Sequence, residues 1–194
     1  MELLFATNNK HKVQEIENLL DESFTVLSLS DAGYTGDIPE DKPTLAENAM
    51  QKAEYIYNLL GKNCFADDTG LEVDALNGSP GVYSARYAGE NKNSESNISK
   101  LLKEMKGKKN RKAQFKTVIA LVLKGNRYYF EGIVRGEILH SKKGEGGFGY
   151  DPVFQPDGYD MTFAEMPLTV KNRISHRSRA FSKLVFFLRE QLSY

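Results

Sequence analysis

This 194-residue sequence has one cysteine, three histidines, no tryptophan and no formal net charge. Cys64 cannot form an internal disulfide, and its apolar surroundings are typical of a packed thiol in a reducing compartment. One cysteine and three scattered histidines offer no zinc-ligand spacing. A net charge of zero gives no overall attraction to nucleic acid or to anionic membranes. These absences argue against a disulfide-stapled, zinc-dependent or polyanion-binding protein.

Long hydrophobic runs are also missing. The start, Met1 to Phe5, lacks the basic residues and apolar stretch of a signal peptide, and no later segment could span a bilayer. Hydrophobic residues at 40% and charged residues at 27% are ordinary for a soluble globular protein. The length suits one domain with a proper core. We therefore expect a single cytoplasmic domain over residues 1–194, without a membrane partner.

Strand and helix patterns alternate along the sequence, which predicts an α/β fold. The segments 113–124 and 127–135 are rich in β-forming residues and are joined through Gly125-Asn126, so they predict an antiparallel hairpin and hence a mixed sheet. A capping box and a following glycine bound the helix 44–60. In chain order we predict strands at 3–6, 26–29, 113–124 and 127–135, and helices at 10–20, 44–60, 94–105 and from 175 to about 192.

Two adjacent carboxylates, Asp67 and Asp68, interrupt an apolar stretch and are followed by Thr69 and Gly70. We expect a strand tip at this point, with a further strand after it. Such a tip can present a carboxylate to a bound cation beside a backbone that a ligand approaches closely. An ordinary turn between two strands would use the same residue types. This stretch alone leaves both interpretations open.

A polar turn, Thr7 to Asn9, connects the first predicted strand to a helix whose first turn carries Lys10 and Lys12. The exposed amides and positive dipole of a helix N-terminus favour phosphate, and lysines there are normally unfavourable. The two lysines therefore suggest an anionic ligand. Simple solvation explains them as well.

A glycine-rich segment, 144–152, contains two aromatic residues and closes with Asp151-Pro152. Its glycines allow sharp bends and close approach of a ligand, and Phe148 and Tyr150 offer flat faces on which a base could stack. Flexible hairpin turns look similar, although interleaved aromatics are a more specific signal.

Basic residues also gather where the last helix begins. Ser175 is a suitable N-cap, which puts His176 and Arg177 in the first turn, shortly after Lys171. An anion or a carbonyl oxygen would be stabilised there. A second basic segment, Lys100 to Lys112, has seven basic residues against one acid, but no interleaved aromatic residue, so we interpret it as a solvated helix end and loop.

Six short motifs, spread over nearly the whole sequence, carry a specific resemblance. They are Ala6-Thr7-Asn8-Asn9 with Lys12 and Glu15, Glu47-Asn48-Ala49, Ala66-Asp67-Asp68-Thr69-Gly70-Leu71, Pro80-Gly81-Val82-Tyr83-Ser84-Ala85-Arg86-Tyr87, Gly146-Gly147-Phe148-Gly149-Tyr150-Asp151-Pro152 and Ile174-Ser175-His176-Arg177. In sequence and order they resemble the motifs of the inosine triphosphate pyrophosphatase family, whose members remove deaminated purine nucleotides. Asn8 departs from the family pattern, since many members have Gly there, but Asn also tolerates positive φ.

The resemblance implies an α/β fold with an elongated, two-lobed mixed β-sheet and helices around a central cleft, usually as a homodimer. It implies Mg²⁺-dependent hydrolysis of ITP, dITP and XTP to the monophosphate and pyrophosphate, which keeps these nucleotides out of DNA and RNA. Neither a stable nucleic-acid partner nor a membrane partner is implied. Two alternatives stay open: a related pyrophosphatase for other modified nucleotides, and a non-catalytic nucleotide- or RNA-binding module using the segment 100–112.

Carried over position by position, the resemblance also implies site residues. Asp68 would be the active-site carboxylate and a metal ligand, with Glu40 as a second acid near the metal and Thr69 touching substrate. Asp67 would have a supporting role. The remaining substrate-binding residues would be Thr7, Asn8, Asn9, Lys10, His11 and Lys12 at the phosphates, Phe148, Gly149, Tyr150 and Asp151 at the nucleoside, and Lys171, His176 and Arg177 at the purine.

Overall fold

The structure is a computed structural model that describes residues 2–17, 19 and 24–192. Those residues form seven strands and five α-helices, besides three single-turn 3₁₀-helices. The strands are β1 (Glu2–Phe5), β2 (Thr25–Leu27), β3 (Cys64–Val73), β4 (Pro80–Gly81), β5 (Lys112–Leu123), β6 (Asn126–Ile138) and β7 (Phe154–Pro156). The helices are α1 (Lys10–Glu17), α2 (Leu45–Leu60), α3 (Ser94–Glu104), α4 (Leu168–Ile174) and α5 (His176–Leu192).

All seven strands belong to one mixed sheet, in the order β2-β1-β3-β5-β6-β7, with β4 paired to β3. β1 pairs in parallel with β2 and β3, whereas β3–β4 and β6–β7 are antiparallel pairs. The mixed α/β fold expected from the sequence is therefore confirmed.

The described residues group into two compact units. The first combines residues 2–17, 19, 24–68, 117–132 and 177–192, and the second combines residues 69–116 and 133–176. The strands β3, β5 and β6 each contribute residues to both units.

In the first unit, the strands bury side chains on both faces, as in a sheet covered by helices on each side. Alternate residues divide between two apolar clusters. One cluster contains Phe5, Phe65 and Ile119 and is covered by Ile16 of α1 and by α5. The other contains Leu4, Ala66 and Ala120 and is covered by the small residues of α2. Two layers of helices thus enclose this part of the sheet, and each strand residue faces one layer or the other.

The second unit has a single apolar core, built from the remaining parts of β3, β5 and β6 together with α3 and the segment 150–166. The rings of Phe115 and Phe154 pack edge to face with centres 4.7 Å apart, and those of Phe154 and Phe163 are tilted with centres 5.3 Å apart. This core supports the glycine-rich segment 144–152 with its two aromatic residues, called here the glycine-aromatic motif.

Several predicted elements are confirmed. α2 begins with the capping interaction in which the Glu47 amide donates to Thr44 Oγ1, and it ends at Gly61 in the left-handed conformation. β5 and β6 are neighbours joined by Lys124 and Gly125, both at positive φ, as a tight hairpin turn requires. The turn lies one residue earlier than the predicted Gly125-Asn126, because Asn126 already belongs to β6.

Two expectations about whole elements differ from the structure, and one helix was not expected. The expected strand tip at Asp67 and Asp68 is wrong, because β3 runs without interruption from Cys64 to Val73. α1 ends at Glu17, and positions 18 and 20 of the predicted helix 10–20 lie outside the described residues. The short helix α4 was not predicted. None of the helices within the described ranges has the length and hydropathy needed to cross a membrane.

Candidate active site

Asp67 and Asp68 face opposite helical layers, because neighbouring strand residues point to opposite faces. Asp67 lies two residues after Phe65 and so shares its face of the strand, and Phe65 packs in the cluster covered by α1 and α5. Asp68 shares the other face with Ala66, which packs in the cluster covered by α2. Both carboxylates are buried, with 1% of Asp67 and 6% of Asp68 exposed. Each must therefore find its counter-charge on a different helix.

Asp67 receives two cations. Its Oδ1 lies 2.8 Å from Lys12 Nζ of α1, and its Oδ2 accepts a hydrogen bond of 3.1 Å from Arg177 Nε of α5. The same guanidinium pairs through Nη1 with the buried carboxylate of Glu15. Arg177 itself is 1% exposed. A buried, hydrogen-bonded network therefore joins β3, α1 and the first turn of α5.

The charges of this network shift one another's pKa values. Burial alone would raise the pKa of Asp67, but Lys12 and Arg177 outweigh it and hold that pKa well below the ordinary value. Burial lowers the pKa of Lys12, helped by the nearby cations Lys52 and Arg177 and opposed by Asp67. Asp67 is thus stabilised as an anion between Lys12 and Arg177. The supporting role expected for it stays a prediction.

Asp68 lies near a different cation. Lys52 Nζ of α2 is 3.6 Å from Asp68 Oδ1 and 2.8 Å from Glu40 Oε2. One buried ammonium therefore contacts both acids that the sequence proposes for the metal. Burial raises the pKa of Asp68 although Lys52 and Lys12 lower it. Burial lowers the pKa of Lys52, but Asp68 and Glu40 outweigh it and raise that pKa.

The donor set at Glu40 and Asp68 fits a hard divalent cation. Two carboxylates that share one ammonium form a compact negative site with oxygen donors only. No cluster of three or more His, Cys, Asp or Glu side chains suited to a metal occurs among the described residues. Mg²⁺ commonly takes one or two protein carboxylates and completes its shell with water and substrate phosphates. The pair of acids matches that preference and does not match a closed protein cage.

The polar turn before α1 is organised by its own side chains. Asn9 Oδ1 caps the helix by accepting from the amides of His11, at 3.0 Å, and Lys12, at 3.3 Å. Thr7 Oγ1 accepts from the Asn9 amide at 3.2 Å. Asn8 Nδ2 donates to the carbonyl of Gly36 at 3.0 Å, which ties the turn to the acidic loop formed by residues 30–43 before α2. Lys10 and His11 are exposed, whereas the Lys12 side chain is 13% exposed.

In the second unit, Asp151 organises the glycine-aromatic motif. Its Oδ2 accepts from the Phe148 amide at 2.8 Å and from Lys171 Nζ at 2.6 Å. The ammonium of Lys171 also lies 5.0 Å from the centre of the Phe148 ring. Asp151 and Lys171 are each 2% exposed. A buried ion pair between this loop and α4 therefore fixes both the backbone and the aromatic face of Phe148.

The two aromatic residues of the motif differ in access. Tyr150 is buried, and its hydroxyl donates to the Ser84 carbonyl at 2.9 Å, so its ring serves the core. Phe148 is half-buried. His176 is also buried and stacks on Phe115 with ring centres 4.6 Å apart. Of these three rings, that of Phe148 is the most accessible to a base.

The predicted site residues divide between the two units. Those of the first unit are Thr7, Asn8, Asn9, Lys10, His11, Lys12, Glu40, Asp68 and Arg177. Those of the second unit are Thr69, Phe148, Gly149, Tyr150, Asp151, Lys171 and His176. The residues expected at the phosphates and at the metal thus lie in the first unit. Of the residues expected at the nucleoside and the purine, all but Arg177 lie in the second.

Two charged residues that contact the predicted site residues, Lys52 and Glu15, were not themselves predicted. Lys52 lies three positions after Ala49 and four before Ile56, so it occupies the apolar face of α2. A lysine on a predicted core face is a signal that could have been noticed. Glu15, beside the core residue Ile16, gave the same signal more weakly.

The basic segment 100–112 is partly committed to internal contacts. Arg111 donates to the backbone carbonyls of Ile138, Met105 and Leu139. Lys100 lies 4.2 Å above the ring of Tyr87 and donates to its carbonyl at 2.7 Å. Two of the seven basic residues therefore stabilise the second unit.

Known proteins resemble this chain in sequence and in fold. Residues 3–187 match the Ham1 family. The sequence is 56% identical to a dITP/XTP pyrophosphatase of Flavobacterium johnsoniae, covering 97% of this chain and 98% of that protein. It is also 56% identical to one of Christiangramia forsetii, covering 97% and 99%. The fold superimposes on the Ham1 protein of Staphylococcus aureus with a TM-score of 0.89 and 42% identity, over 98% of this chain and 100% of that one.

Proposed function

Because the chain belongs to the Ham1 family, we propose that it hydrolyses dITP, ITP and XTP to the monophosphate and pyrophosphate. By this activity it removes non-standard purine nucleotides before they enter DNA or RNA. The observation that supports the proposal most directly is the arrangement of Asp68 and Glu40 on the ammonium of Lys52. It combines paired carboxylates with a buried cation, as phosphoryl chemistry needs.

Asp68 is the proposed catalytic residue. Its carboxylate orients the attacking water and accepts its proton. Burial raises the pKa of Asp68, which makes it a better proton acceptor than a surface aspartate. Its position inside a continuous strand, not on a flexible turn, keeps the carboxylate in place for attack on phosphorus.

Glu40 and Asp68 are the proposed holders of Mg²⁺. When bound, the ion neutralises phosphate charge and makes phosphorus easier to attack. Lys12 and Lys52 add fixed positive charge beside the acids, and the capped turn Thr7 to Lys12 offers amides and side-chain donors to the phosphates.

Phe148 and Lys171 are the proposed centre of base recognition, with Gly149, Tyr150, Asp151, His176 and Arg177 supporting the nucleoside. A 6-oxo purine accepts hydrogen bonds at O6, which lysine and arginine can donate. The 6-amino group of ATP would leave such a donor unpaired, at a cost of about 1–3 kcal/mol. Thr69, next to Asp68, would contact substrate.

Other expectations stay predictions. They are a homodimer, a cytoplasmic location and a single domain over residues 1–194.

A product-resolved assay tests the function. The protein is incubated with dITP, ITP, XTP, ATP, GTP and modified pyrimidine triphosphates at equal concentration, with Mg²⁺, and products are identified by phosphorus NMR. We expect pyrophosphate and monophosphate from the 6-oxo purines dITP, ITP and XTP, and no reaction after chelation of the metal. Diphosphate and inorganic phosphate as products would contradict the proposed reaction. A preference for pyrimidines would instead support the related pyrophosphatase.

A further inference from the structure

The acidic loop before α2 is fastened to that helix at three consecutive residues. Glu40 pairs with Lys52, Asp41 with Gln51, and the Lys42 backbone with Asn48. Only the first of these contacts belongs to the catalytic arrangement described above. The other two use residues with no role assigned so far.

The Gln51 amide makes a two-point contact with Asp41. Its Oε1 accepts from the Asp41 backbone amide at 3.2 Å, and its Nε2 donates to Asp41 Oδ1 at 2.8 Å. Asn48 Oδ1 accepts from the Lys42 amide at 2.7 Å, and Asn48 is completely buried. Packing thus fixes the Asn48 amide, and Gln51 adds a second anchor one residue earlier in the loop.

This loop needs such anchors. Residues 36–42 form no helix or strand, and Pro39 and Pro43 have no amide hydrogen to donate. A functional side chain on an unsupported loop is held less accurately than one on a helix or strand. Acceptor oxygens on α2 side chains bind the loop amides, which have no neighbouring strand or helical turn to pair with.

The Gln51 contact also separates two neighbouring acids. The Asp41 side chain is held on Gln51 and is 72% exposed, whereas the Glu40 side chain is 25% exposed and contacts Lys52. The two neighbouring carboxylates therefore have different partners, Gln51 for Asp41 and Lys52 for Glu40.

We propose that Gln51 and Asn48 are positioning residues that hold segment 40–42 on α2, and so place the Glu40 carboxylate at Lys52 before metal or substrate binds. The inference rests on the proposed function in so far as Glu40 serves the metal.

A partner exchange tests this directly. Gln51→Glu keeps the acceptor for the Asp41 backbone amide but places a second carboxylate against that of Asp41, where the two repel each other. The double variant Gln51→Glu/Asp41→Asn keeps the bond from the backbone amide of residue 41 and restores the side-chain bond with donor and acceptor exchanged, at unchanged net charge. The control Gln191→Glu makes the same substitution at an exposed position of α5.

Two measurements are made on the full chain. Hydrogen–deuterium exchange of a peptide spanning 40–44 reports the loop without any need for activity. The Mg²⁺ concentration that gives half-maximal dITP hydrolysis reports whether Glu40 is in place to bind the metal. The KM for dITP is measured separately, at saturating Mg²⁺. For Gln51→Glu we expect faster exchange and a Mg²⁺ requirement about three- to tenfold higher, the range that one or two lost hydrogen bonds would give, with little change in KM.

The double variant should return both values to those of the original protein, and Gln191→Glu should not move them. Unchanged exchange and Mg²⁺ requirement in Gln51→Glu, or a double variant as impaired as the single one, would overturn the inference. If the original protein does not hydrolyse dITP, the proposed function fails, while the exchange measurement still decides whether Gln51 holds the loop.

Discussion

Asp67 and Arg177 are 110 residues apart in the sequence and form a buried ion pair, with Nε 3.1 Å from Oδ2. Each is 1% exposed. The pair fixes the first turn of α5 to the strand that carries Asp68. Since Glu15 and Lys12 complete the network, every buried charge in it has an opposite neighbour. Removing one member leaves another charge buried without full compensation.

Asp67→Asn is therefore expected to destabilise the fold by about 3–5 kcal/mol at pH 7, because Lys12 loses its counter-ion and Arg177 keeps only Glu15. Urea unfolding followed by circular dichroism measures the change. The control Asp160→Asn alters an exposed acid and should stay within about 0.5 kcal/mol of the original protein. Equal stabilities of the two variants would contradict the importance of the network.

The contribution of Asp67 to the free energy of unfolding should also depend on pH. The folded-state pKa of Asp67 is lowered, so its stabilisation is complete above the unfolded-state value of about 3.9 and is lost as the pH falls towards the folded-state pKa. The original protein should lose stability over that acidic range. Asp67→Asn lacks this contribution, so the difference in unfolding free energy between the two proteins should shrink as the pH falls below about 4. A constant difference would show that the Asp67 charge is not its source.

Asp68→Asn is expected to fold normally but to lose activity. A neutral amide cannot accept the proton from water, and general-base contributions are typically about 10²–10⁴-fold in rate. Because burial raises the pKa of Asp68, its ionised form is costly in the folded protein, and the unfolding temperature should stay the same or rise. Pyrophosphate release from dITP at saturating Mg²⁺ is measured beside the exposed-site control Asp157→Asn. Full activity in Asp68→Asn would refute the assigned role.

The separate roles of Asp67 and Asp68 show what local sequence can predict. Once the residues 64–73 form one strand, the side-chain period of two assigns the acids to opposite faces, and the apolar neighbours identify those faces. The expected strand tip was wrong because aspartate has low β propensity and local patterns favour a turn. The compensating cations, Lys12, Lys52 and Arg177, lie in other elements, so no local window contains them.

Helix α2 shows the opposite case. Its first turn and its end follow from Thr44, Glu47 and Gly61, whose interactions are local, and both were predicted correctly. Its contact with the acidic loop was not predicted, because Asp41 and Gln51 meet only through the path of the intervening chain. Local chemistry thus predicted the helix, whereas tertiary contacts determine which of its polar residues support the site.

Lys171→Met is expected to weaken the preference for 6-oxo purines. If the Lys171 ammonium donates to O6, its loss should lower kcat/KM for dITP by about tenfold or more and that for dATP less, because dATP has an amino group at this position. The ratio of the two values separates recognition from a general loss of folded protein. Lys103→Met, at an exposed position of α3, provides the control. An equal fall for both nucleotides would place Lys171 in a structural role with Asp151.

Gly147→Ala and Gly158→Ala form a matched pair that tests how Asp151 is held. Both glycines have positive φ, +69° and +83°, so alanine costs about 1–2 kcal/mol of backbone strain at either position. A Cβ at Gly158 meets nothing within 4 Å, whereas one at Gly147 would lie 2.1 Å from Asp151 Oδ2. Asp151 would then have to leave the Phe148 amide and Lys171, which strands a buried ammonium. We expect Gly147→Ala to be the less stable variant by about 3 kcal/mol in urea unfolding and to raise the KM for dITP, while Gly158→Ala leaves that KM unchanged. If both variants lost the same stability, the Asp151 contacts would not be what organises this loop.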